Sequence, residues 1–396
     1  MNSFLFRLYS HCFVDELMLI YPFYAVMFVD HGLSPMELAT LLAVWCATTI
    51  VLEVPSGVLA DRHSRKAIMV FGAVLRACGY TCWALFPSFW GFLVGFVLWG
   101  IEGALGSGAF EALVYDELKR FGRQDDYARV QGRCRGLGQA GIVAASLAAS
   151  WVVSSGYEIL IAASAAAALA AGGLLLSLPT APPVAPTGAT GWAAYAVTLR
   201  AGVGEVVLRP YVRHLVLFAT VALSLGGTLE EYWPILAVEI GLPEYAPGVL
   251  LAVLCGTQAL ASFMAHRFVD LSSRTVFSVF AACGAGLFVA AWSMHPAAIL
   301  LVVLFVFVFQ AIDIVYDARL QAVIPSEHRA TASSVKGFAS EVAGIPVVMA
   351  MGIAVTDRSY RLGFEAFGVA IVLVGVCYLL RAGRLPRPAD ADSRWG

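Results

Sequence analysis

Charged side chains are scarce in this sequence. Asp, Glu, Lys and Arg make up 13% of the residues, while 60% are hydrophobic and the mean hydropathy is +0.80. Soluble globular domains are about 25% charged, and one water-facing core cannot bury so much apolar surface. The net charge of −2 by itself says nothing about nucleic acid, but the sequence has no basic face and no run of interleaved aromatic and basic residues. The composition therefore excludes a soluble domain and favours a chain surrounded by lipid, and the charge pattern disfavours a nucleic-acid-binding protein.

The sequence also has little that would support catalysis or cofactor binding. It contains no Walker loop, so ATP does not drive it. The glycines between Gly103 and Gly108 lie inside an apolar segment and are spaced for helix packing rather than for a dinucleotide. The eight cysteines fall almost entirely in apolar segments and imply no disulfide framework. The histidines, most of them in loops, suggest no ligand pair with an acid. We therefore expect no enzyme, no cofactor and no metal site.

Long apolar runs are what the sequence has in place of charge. A membrane-spanning helix needs about 20 mostly apolar residues. Breaks at Gly, Pro and charge clusters divide the chain into twelve such spans, numbered 1 to 12 in chain order. The predicted spans are 5–29, 36–60, 67–87, 89–118, 128–153, 157–178, 211–239, 243–267, 273–294, 297–320, 330–355 and 360–381.

The Lys and Arg residues set the predicted orientation, because cytoplasmic loops carry an excess of them. The connections between spans 2 and 3, 4 and 5, and 6 and 7 are basic, as is the C-terminal tail. Only Arg358 and Arg361 fall on the opposite side. Both termini are therefore predicted to be cytoplasmic. The predicted domains are an N-terminal six-helix bundle at 1–178, a cytoplasmic linker at 179–210, a C-terminal six-helix bundle at 211–382 and a cytoplasmic tail at 383–396.

The chain repeats itself once. Asp61-x-x-x-Arg65, between spans 2 and 3, returns 209 residues later as Asp270-x-x-x-Arg274, between spans 8 and 9. A Val-Tyr-Asp tripeptide in span 4 likewise returns in span 10. A repeat in the same order, at about half the chain length, indicates two parallel halves. Among membrane proteins, that arrangement is typical of transporters built from repeats.

The loop between spans 2 and 3 carries the strongest motif, GVLADRHSRK at residues 57–66. It resembles the signature loop of the major facilitator superfamily, G-x-L-x-D-R-x-G-R-K, with Ser64 in place of a glycine. Six plus six spans are similar to that family over the whole chain. The resemblance implies an all-α integral membrane fold with twelve transmembrane helices, in two six-helix bundles related by a parallel pseudo-twofold axis. The run SGAFEALVYD at 107–116 looks like a bacterial branch that exports drugs and secreted metabolites.

The signature loop belongs to a cytoplasmic gate in that family. By the resemblance, Asp61, Arg65 and Asp116 would form an ion-paired latch that closes the cytoplasmic side. The alternative is that these charges only set the topology and support folding. The predicted gate residues are Gly57, Asp61, Arg62, Arg65, Lys66, Asp116, Asp270 and Arg274.

Several carboxyl groups fall at membrane depth, where an ionisable side chain is costly and is a functional hypothesis by default. Asp15 lies about ten residues into span 1, roughly 15 Å deep. Glu16 would be turned about 100° from Asp15 on a helix, so at most one of the two is expected to face a cavity. The alternative is a structural ion pair, with Arg76 or Lys336 as the cation. The predicted proton-coupling residues are Asp15, Glu102, Glu341 and Glu230.

Aromatic residues flank prolines in spans 1 and 7, which the repeat relates. Tyr and Phe surround Pro22, and Tyr and Trp precede Pro234. Proline kinks a helix, and aromatic faces beside an acid suit a cationic or amphipathic organic ligand. Ordinary packing with an outer aromatic belt is the alternative. The predicted substrate-lining residues are Glu16, Tyr21, Tyr24, Trp99, Glu231, Tyr232, Trp233, Gln310 and Asp313.

Span 4 departs from a pattern of the proton-driven members of the family. They often carry R-x-x-Q-G there, whereas this chain has Trp99 and Glu102 in place of the Arg and Gln. Few amides and many acids disfavour sugars and organic anions as substrates. We therefore predict a proton-coupled antiporter that exports a small amphipathic organic compound, such as a drug or a siderophore, by alternating access.

Two alternatives stay open at this point: an importer or facilitator of a small polar solute, and a non-transporting membrane sensor on the same fold. The expected partners are the substrate, protons and the lipid bilayer, without nucleic acid, and the proton motive force replaces a cofactor. We expect a monomer. The scarcity of Lys beside abundant Arg and Ala suggests a GC-rich bacterial source, and hence a bacterial cytoplasmic membrane.

Overall fold

The computed structural model describes residues 1–62, 64–178, 208–324, 329–355 and 359–382. Residues 179–207 of the predicted linker and the predicted tail 383–396 lie outside these ranges. The described elements are helices. The α-helices, numbered in chain order, are α1 Asn2–Asp15, α2 Tyr24–Asp30, α3 Pro35–Arg62, α4 Arg65–Leu85, α5 Phe89–Gly106, α6 Ala109–Arg120, α7 Tyr127–Val152, α8 Tyr157–Leu176, α9 Pro210–Glu239, α10 Ala246–Met264, α11 Ser273–Ser293, α12 Ile299–Val323, α13 Arg329–Ala354 and α14 Arg361–Arg381.

Eleven helical segments of the described chain are long and apolar enough to cross a membrane. They correspond to predicted spans 2 to 12, and the all-helical membrane fold is confirmed. Span 1 is α1 followed by α2, with turns at 16–23 between them. Span 4 is α5 followed by α6, with a break before Gly108 at φ +71°. Continuous helices were predicted at both places. Glycine adopts a positive φ without strain, and Pro22 cannot donate a helical hydrogen bond.

Serine side chains start two repeat-related helices. Ser64 accepts a hydrogen bond from Ala67 N at 3.4 Å at the start of α4. Ser272 accepts one from Thr275 N at 3.1 Å at the start of α11. Each bond satisfies a backbone donor that the first helical turn leaves open. The serine that replaces the family's glycine therefore acts here as a helix cap.

The helices form two compact units. Unit 1 contains α1–α8 together with residues 243–252, and unit 2 contains α9, the rest of α10 and α11–α14. Small residues pack corresponding helix pairs in the two units. A Cβ built on Gly172 of α8 would lie 3.1 Å from the Ala73 Cβ of α4. One built on Gly375 of α14 would lie 2.8 Å from the Ala281 Cβ of α11. Close backbone approach of this kind holds helices together in lipid.

Aromatic rings form much of the core of each unit. In unit 1, Phe28 of α2 stacks on Phe92 of α5, with ring centroids 4.0 Å apart. In unit 2, the Phe218 ring of α9 lies 4.6 Å from that of Tyr316 in α12. Such ring pairs add about 0.5–1.5 kcal/mol each beyond the area they bury. They fix the helices that carry the ionisable groups.

Candidate functional site

The first span stops being helical at its acidic pair. α1 ends at Asp15, and Glu16 caps it with φ −94° and ψ 8°. Because the helix ends between the two acids, its geometry no longer turns them about 100° apart. Both side chains line one cavity of unit 1. The expectation that only one of them faces a cavity is therefore wrong.

One buried arginine contacts two of the predicted proton-coupling acids. Arg76 of α4 is 4% exposed, and its Nη2 forms an ion pair with the Asp15 carboxylate. The same Nη2 donates to the Asp15 carbonyl oxygen at 3.2 Å, and Nη1 lies 3.7 Å from Glu102 Oε1. A Cβ built on Gly72 would lie 3.2 Å from Glu102 Cγ, so glycine leaves room for the acid. Arg76 thus joins the end of α1 to α5.

Arg76 places a positive charge beside Glu102, whereas position 99 of span 4 is a tryptophan. The guanidinium reaches Glu102 from the neighbouring helix α4 instead. Its Nε and the Tyr80 hydroxyl, one turn further along α4, are buried without a hydrogen-bond partner among the described residues. Buried donors are rarely left unpaired.

Two glycines of α7 allow the acidic end of α1 to approach. A Cβ built on Gly138 would lie 3.3 Å from Glu16 Cγ. A Cβ built on Gly141 would lie 2.4 Å from the Phe13 carbonyl oxygen, closer than real Cβ contacts come. The backbones of α1 and α7 can therefore meet at this point only with glycine at 141.

The acidic groups face a cavity of about 400 Å³ inside unit 1. The charged residues that line it are Asp15, Glu16, Glu102, Glu111 and Arg135. With Arg76 beside them, four carboxyl groups meet two guanidinium groups, and full ionisation would leave two negative charges. Uncompensated charge at membrane depth is costly. The cavity therefore suits protons or a cationic ligand better than an anion.

His11 also lines this cavity but was not among the predicted site residues. It precedes Asp15 by one helical turn, so the two share a face of α1. The ring is 4% exposed, and its Nδ1 lies 3.2 Å from the Ala171 carbonyl oxygen of α8. The four-residue spacing was a usable signal. The histidines were expected to form no ligand pair with an acid, and the position of His11 four residues before Asp15 was not considered there.

The aromatic candidates of spans 1 and 4 lie in a buried cluster. Tyr24 is 3% exposed and Trp99 is 8% exposed. The Trp99 ring stacks on that of Phe96 at an interplanar angle of 3°, and the Tyr21 ring meets it edge-on at 6.2 Å. These three candidates are absent from the lining of the cavity that holds Glu16. Their part in substrate binding stays a prediction.

Unit 2 has a smaller cavity, of about 150 Å³, with an acid of its own. Glu230 of α9 lines it and accepts a hydrogen bond from Gln258 Nε2 of α10 at 3.3 Å. Its wall also includes Trp233, Phe305, Phe309, Gln310 and Asp313. The fold therefore brings together four predicted residues from α9 and α12: Glu230, Trp233, Gln310 and Asp313.

Lys336 of α13 lies beside two acids of α12. Its Nζ is 3.4 Å from Asp313 Oδ1 and 3.0 Å from Asp317 Oδ1. These acids are one helical turn apart on the same helix. The sequence suggested Lys336 only as a possible cation, and the structure assigns it to this acidic pair.

Three predicted residues of unit 2 line neither of these cavities. Glu341 of α13 is exposed, and Glu231 of α9 is half-buried. Tyr232 is fully buried against Tyr360, with ring centroids 5.8 Å apart. Their roles as proton-coupling and substrate-lining residues stay predictions.

The structure gives different partners to the predicted gate residues Arg65 and Lys66, and their gating role stays a prediction. Arg65 at the start of α4 forms an ion pair with Asp116 of α6. Lys66 Nζ instead donates to the Leu176 and Leu178 carbonyl oxygens at 3.3 and 2.9 Å, at the end of α8. A cation at that position also stabilises the helix dipole. The side chains of Gly57, Asp61 and Arg62 lie outside the described residues.

The repeat-related loop of unit 2 is held differently. Asp270 and Arg274 are both exposed, and no ion pair joins them in the described part of the chain. Arg319 of α12 donates instead to the carbonyl oxygens of Val269, at 3.2 Å, and Leu271. The sequence analysis did not identify Arg319, because nothing in the motif points to a backbone contact.

A family model matches this chain along most of its length, and a named relative matches a part of it. A family model described as the Major Facilitator Superfamily matches residues 12–348. The inner membrane transport protein YajR of Escherichia coli (strain K12) is 31% identical over 111 residues, which cover 28% of this chain and 22% of that protein. The aligned segment is therefore less than a quarter of YajR.

Solved structures match almost the whole chain. The nucleoside transporter NupG has a TM-score of 0.77 at 14% identity, covering 98% of this chain and 100% of that one. A bacterial homologue of the human lysosomal transporter Spinster, inward-facing and occupied, has a TM-score of 0.74 at 15% identity, covering 100% and 97%. A D-xylose-proton symporter has a TM-score of 0.70 at 15% identity, covering 98% of both. At these identities the likeness shows the fold.

Proposed function

The chain belongs to the major facilitator superfamily, and from this premise we propose that it is a proton-coupled antiporter that exports a small amphipathic organic compound. A drug or a secreted metabolite such as a siderophore fits that description. The protein is a multi-pass membrane protein and a secondary transporter, not an enzyme. We propose the bacterial cytoplasmic membrane as its location, with a monomeric chain and both termini inside. Its distant relative YajR is an inner membrane protein.

The sharing of Arg76 between Asp15 and Glu102 carries this proposal. The three residues sit at the end of α1, in α4 and in α5, so protonation of one acid changes the force between helices. When Asp15 binds a proton, its attraction for Arg76 falls, and the guanidinium can close the 3.7 Å separation from Glu102. When the proton leaves, the ion pair with Asp15 forms again. A proton thereby selects which helix Arg76 holds.

The excess of carboxyl groups supports a cationic or zwitterionic substrate. A positive centre beside Glu16 would supply the charge that a proton supplies otherwise, so substrate and proton would compete for one cavity. Competition of this kind is what exchange transport requires. An anion would meet charges of its own sign and would be rejected.

The other candidates take secondary places in the proposal. Glu230 and Glu341 are the further proton-coupling candidates in unit 2. Glu230 lies in a cavity walled by aromatic rings, which suits an amphipathic ligand. Asp61, Arg65 and Asp116 form the proposed cytoplasmic latch, supported by the ion pair of the last two.

Proton release from energised everted vesicles tests the proposal. A pH-gradient dye reports the response while cationic, zwitterionic and anionic compounds are added in turn. We expect one cationic or zwitterionic class to dissipate the gradient. Asp15→Asn and Glu102→Gln should each abolish that response, since neither side chain can then exchange a proton. Asp125→Asn, at an exposed acid outside the cavity, should leave it unchanged.

Other outcomes would select the alternatives. If a labelled compound equilibrates without moving protons, the protein is a facilitator and the acids are structural. If the compound enters with protons rather than against them, it is an importer. If neither protons nor compounds move, and Asp15→Asn and Glu102→Gln change nothing, the hypothesis of a non-transporting membrane sensor is favoured.

A further inference from the structure

The cavity of unit 2 contains a carboxylate with no cation beside it. Glu230 of α9 accepts its hydrogen bond, at 3.3 Å, from the neutral amide of Gln258. The cavity lining contains no Lys, Arg or His, and no ion pair within the described part of the chain includes Glu230. An ionised side chain at membrane depth costs free energy unless a counter-charge compensates it. A proton or a cationic ligand would provide that compensation.

The second acid of this cavity has a cation of its own. Asp313 of α12 also lines the cavity, and its Oδ1 lies 3.4 Å from Lys336 Nζ. An occupant of the cavity therefore does not have to compensate Asp313. Glu230 is the acid whose charge the occupant would have to match.

Three aromatic rings line the same cavity as Glu230. Trp233 follows Glu230 by about one turn of α9, and its ring meets that of Phe305 edge-on at 5.5 Å. The Phe305 ring stacks on that of Phe309, with centroids 4.0 Å apart. The face of an aromatic ring carries partial negative charge and attracts a cation. The cavity therefore combines one uncompensated carboxylate with a wall that favours positive charge.

Contacts within the protein already hold these rings in place. Trp233 is buried and stacks on Phe364 of α14 at an interplanar angle of 10°. Phe309 lies against α9, where a Cβ built on Gly226 would be 2.9 Å from the Phe309 Cδ1. A ligand would therefore bind without the entropic cost of ordering these side chains.

The volume of the cavity limits what it can hold. It measures about 150 Å³, and a protein cavity of roughly this size accommodates a molecule as large as benzene. A trimethylammonium group is a compact cation of similar size. Gly227 also lines the cavity, and a Cβ built there would meet nothing within 4 Å. A larger side chain at position 227 would therefore take up space that a ligand could use.

The cavity of unit 1 offers different chemistry. Four carboxyl groups line it, and among its described lining residues Phe110 is the one that is Phe, Tyr or Trp. Carboxylates bind a cation best through its N–H groups, because those hydrogen bonds are charge-assisted. The cavity of unit 2, with its aromatic wall, is the better match for a cation that has methyl groups in place of N–H groups.

We propose that the cavity of unit 2 binds the quaternary ammonium headgroup of an organic cation. Glu230 supplies the counter-charge, and the Trp233, Phe305 and Phe309 rings contact the methyl groups. A quaternary ammonium has no N–H to donate, so the rings recognise it in place of hydrogen bonds. The headgroup would belong to the exported compound of the proposed function, on which this step rests, whereas binding itself requires no proton exchange.

Equilibrium dialysis of labelled choline against the full-length protein in a maltoside detergent tests the site. Two unlabelled probes compete with it: ethanolamine, which lacks the methyl groups, and the neutral isostere of choline with carbon in place of nitrogen. We expect choline to bind about tenfold more tightly than either probe. Each probe lacks one of the two features that the cavity recognises, the methyl groups or the charge.

Matched variants assign the binding to this cavity. Glu230→Gln should weaken choline binding about tenfold and leave that of the neutral isostere unchanged, because the amide keeps the shape of the side chain and removes its charge. Glu239→Gln removes an acid of the same helix that does not line the cavity, and it should leave choline binding unchanged.

A steric pair tests the location without changing the charge. Gly227→Leu should weaken the binding of choline and of the neutral isostere alike, because the new side chain enters the cavity. Gly256→Leu is the control, at a glycine of α10 that does not line the cavity and has nothing within 4 Å of its Cβ position. It should leave both affinities unchanged.

Several results would overturn the proposal: unchanged choline affinity in Glu230→Gln, or binding of ethanolamine or the neutral isostere as tight as that of choline. If Glu230→Gln does not fold, Phe309→Leu should still weaken choline binding several-fold more than binding of the isostere, and equal losses would overturn the proposal. Choline binding that depends on Glu230, in a protein that moves no protons in vesicles, would support the site and refute the proposed antiport.

Discussion

Each unit holds one cation beside two carboxyl groups, but the two arrangements join different numbers of helices. In unit 1, Arg76 of α4 lies between Asp15, at the end of α1, and Glu102 of α5. In unit 2, Lys336 of α13 contacts Asp313 and Asp317, which are neighbours on α12. The Arg76 side chain is 5% exposed, against 13% for that of Lys336.

The difference indicates in which cluster protonation of one acid can release a helix from its neighbour. If Asp313 or Asp317 is neutralised, the other still holds Lys336, and α12 stays attached to α13. If Asp15 is neutralised, Arg76 loses its bond to α1 and keeps only its attraction to α5. We therefore expect the Arg76 cluster of unit 1 to respond to protons and the Lys336 cluster of unit 2 to hold α12 and α13 together at all times.

The largest expected difference between the two units is the loss of stability when the cation of each cluster is removed. Arg76→Ala removes a buried guanidinium and leaves two half-buried carboxyl groups uncompensated, so it should lower the free energy of unfolding by about 3–5 kcal/mol. Lys336→Ala should cost about 1 kcal/mol or less, because its partners are more exposed. Unfolding in mixed micelles measures both. Equal losses would contradict the comparison.

A neutral isostere should abolish proton coupling when it replaces an acid beside Arg76. It should leave most of the coupling intact when it replaces an acid beside Lys336. We expect Glu102→Gln to abolish substrate-induced proton release, because Arg76 then has no second carboxylate to move to. Asp317→Asn should retain most of the release, since Asp313 still holds Lys336. The vesicle assay compares the two. Loss of release in both variants would mean that the units share the coupling role.

Two glycines of α7 should differ in how far a substitution by alanine lowers stability, because only one of them is in close contact with α1. Gly141→Ala places a methyl 2.4 Å from the Phe13 carbonyl oxygen, and such overpacking costs about 1–3 kcal/mol. Gly132→Ala, on the same helix with nothing within 4 Å of its Cβ position, should be neutral or stabilising by up to about 1 kcal/mol. Thermal melts of the two variants check this. A stable Gly141→Ala would show that the two helices can separate freely.

The smallest expected effects concern the repeat-related caps. Ser272→Ala should cost about 0.5–2 kcal/mol of stability, the usual range for a lost N-cap. Ser64→Ala should cost less, because its hydrogen bond is longer, at 3.4 Å against 3.1 Å. Melting temperatures of the single variants rank the two. A larger loss at Ser64 would indicate that its hydroxyl has another role in the signature loop.

Much of the fold could be predicted from the sequence because lipid imposes long apolar helices. Predicted spans 2 to 12 correspond to described helical segments. The breaks in spans 1 and 4 could not be predicted with the same ease. Hydropathy continues through residues 16–23 and through Gly108, whereas the backbone turns there for reasons of local geometry.

The acids of the candidate site could be predicted from the sequence, but their shared partner could not. The free-energy cost of an ionised side chain at membrane depth identifies Asp15 and Glu102 individually. Their sharing of Arg76 depends on how α4 packs between α1 and α5, which no spacing along the chain reveals. Trp99 shows the same limit. Its position in span 4 suggested that it lines the substrate cavity, whereas its ring stacks on Phe96 in the aromatic cluster.

Infrared difference spectroscopy of the reconstituted protein, recorded between acidic and alkaline pH, tests the central claim most directly. The account predicts a carboxylic acid C=O band at acidic pH that disappears in Asp15→Asn and persists in Asp313→Asn. It also predicts that the guanidinium bands of Arg76 shift together with that band, because Arg76 exchanges partners. A carboxylic acid band unchanged by Asp15→Asn, with guanidinium bands that do not respond to pH, would contradict the account.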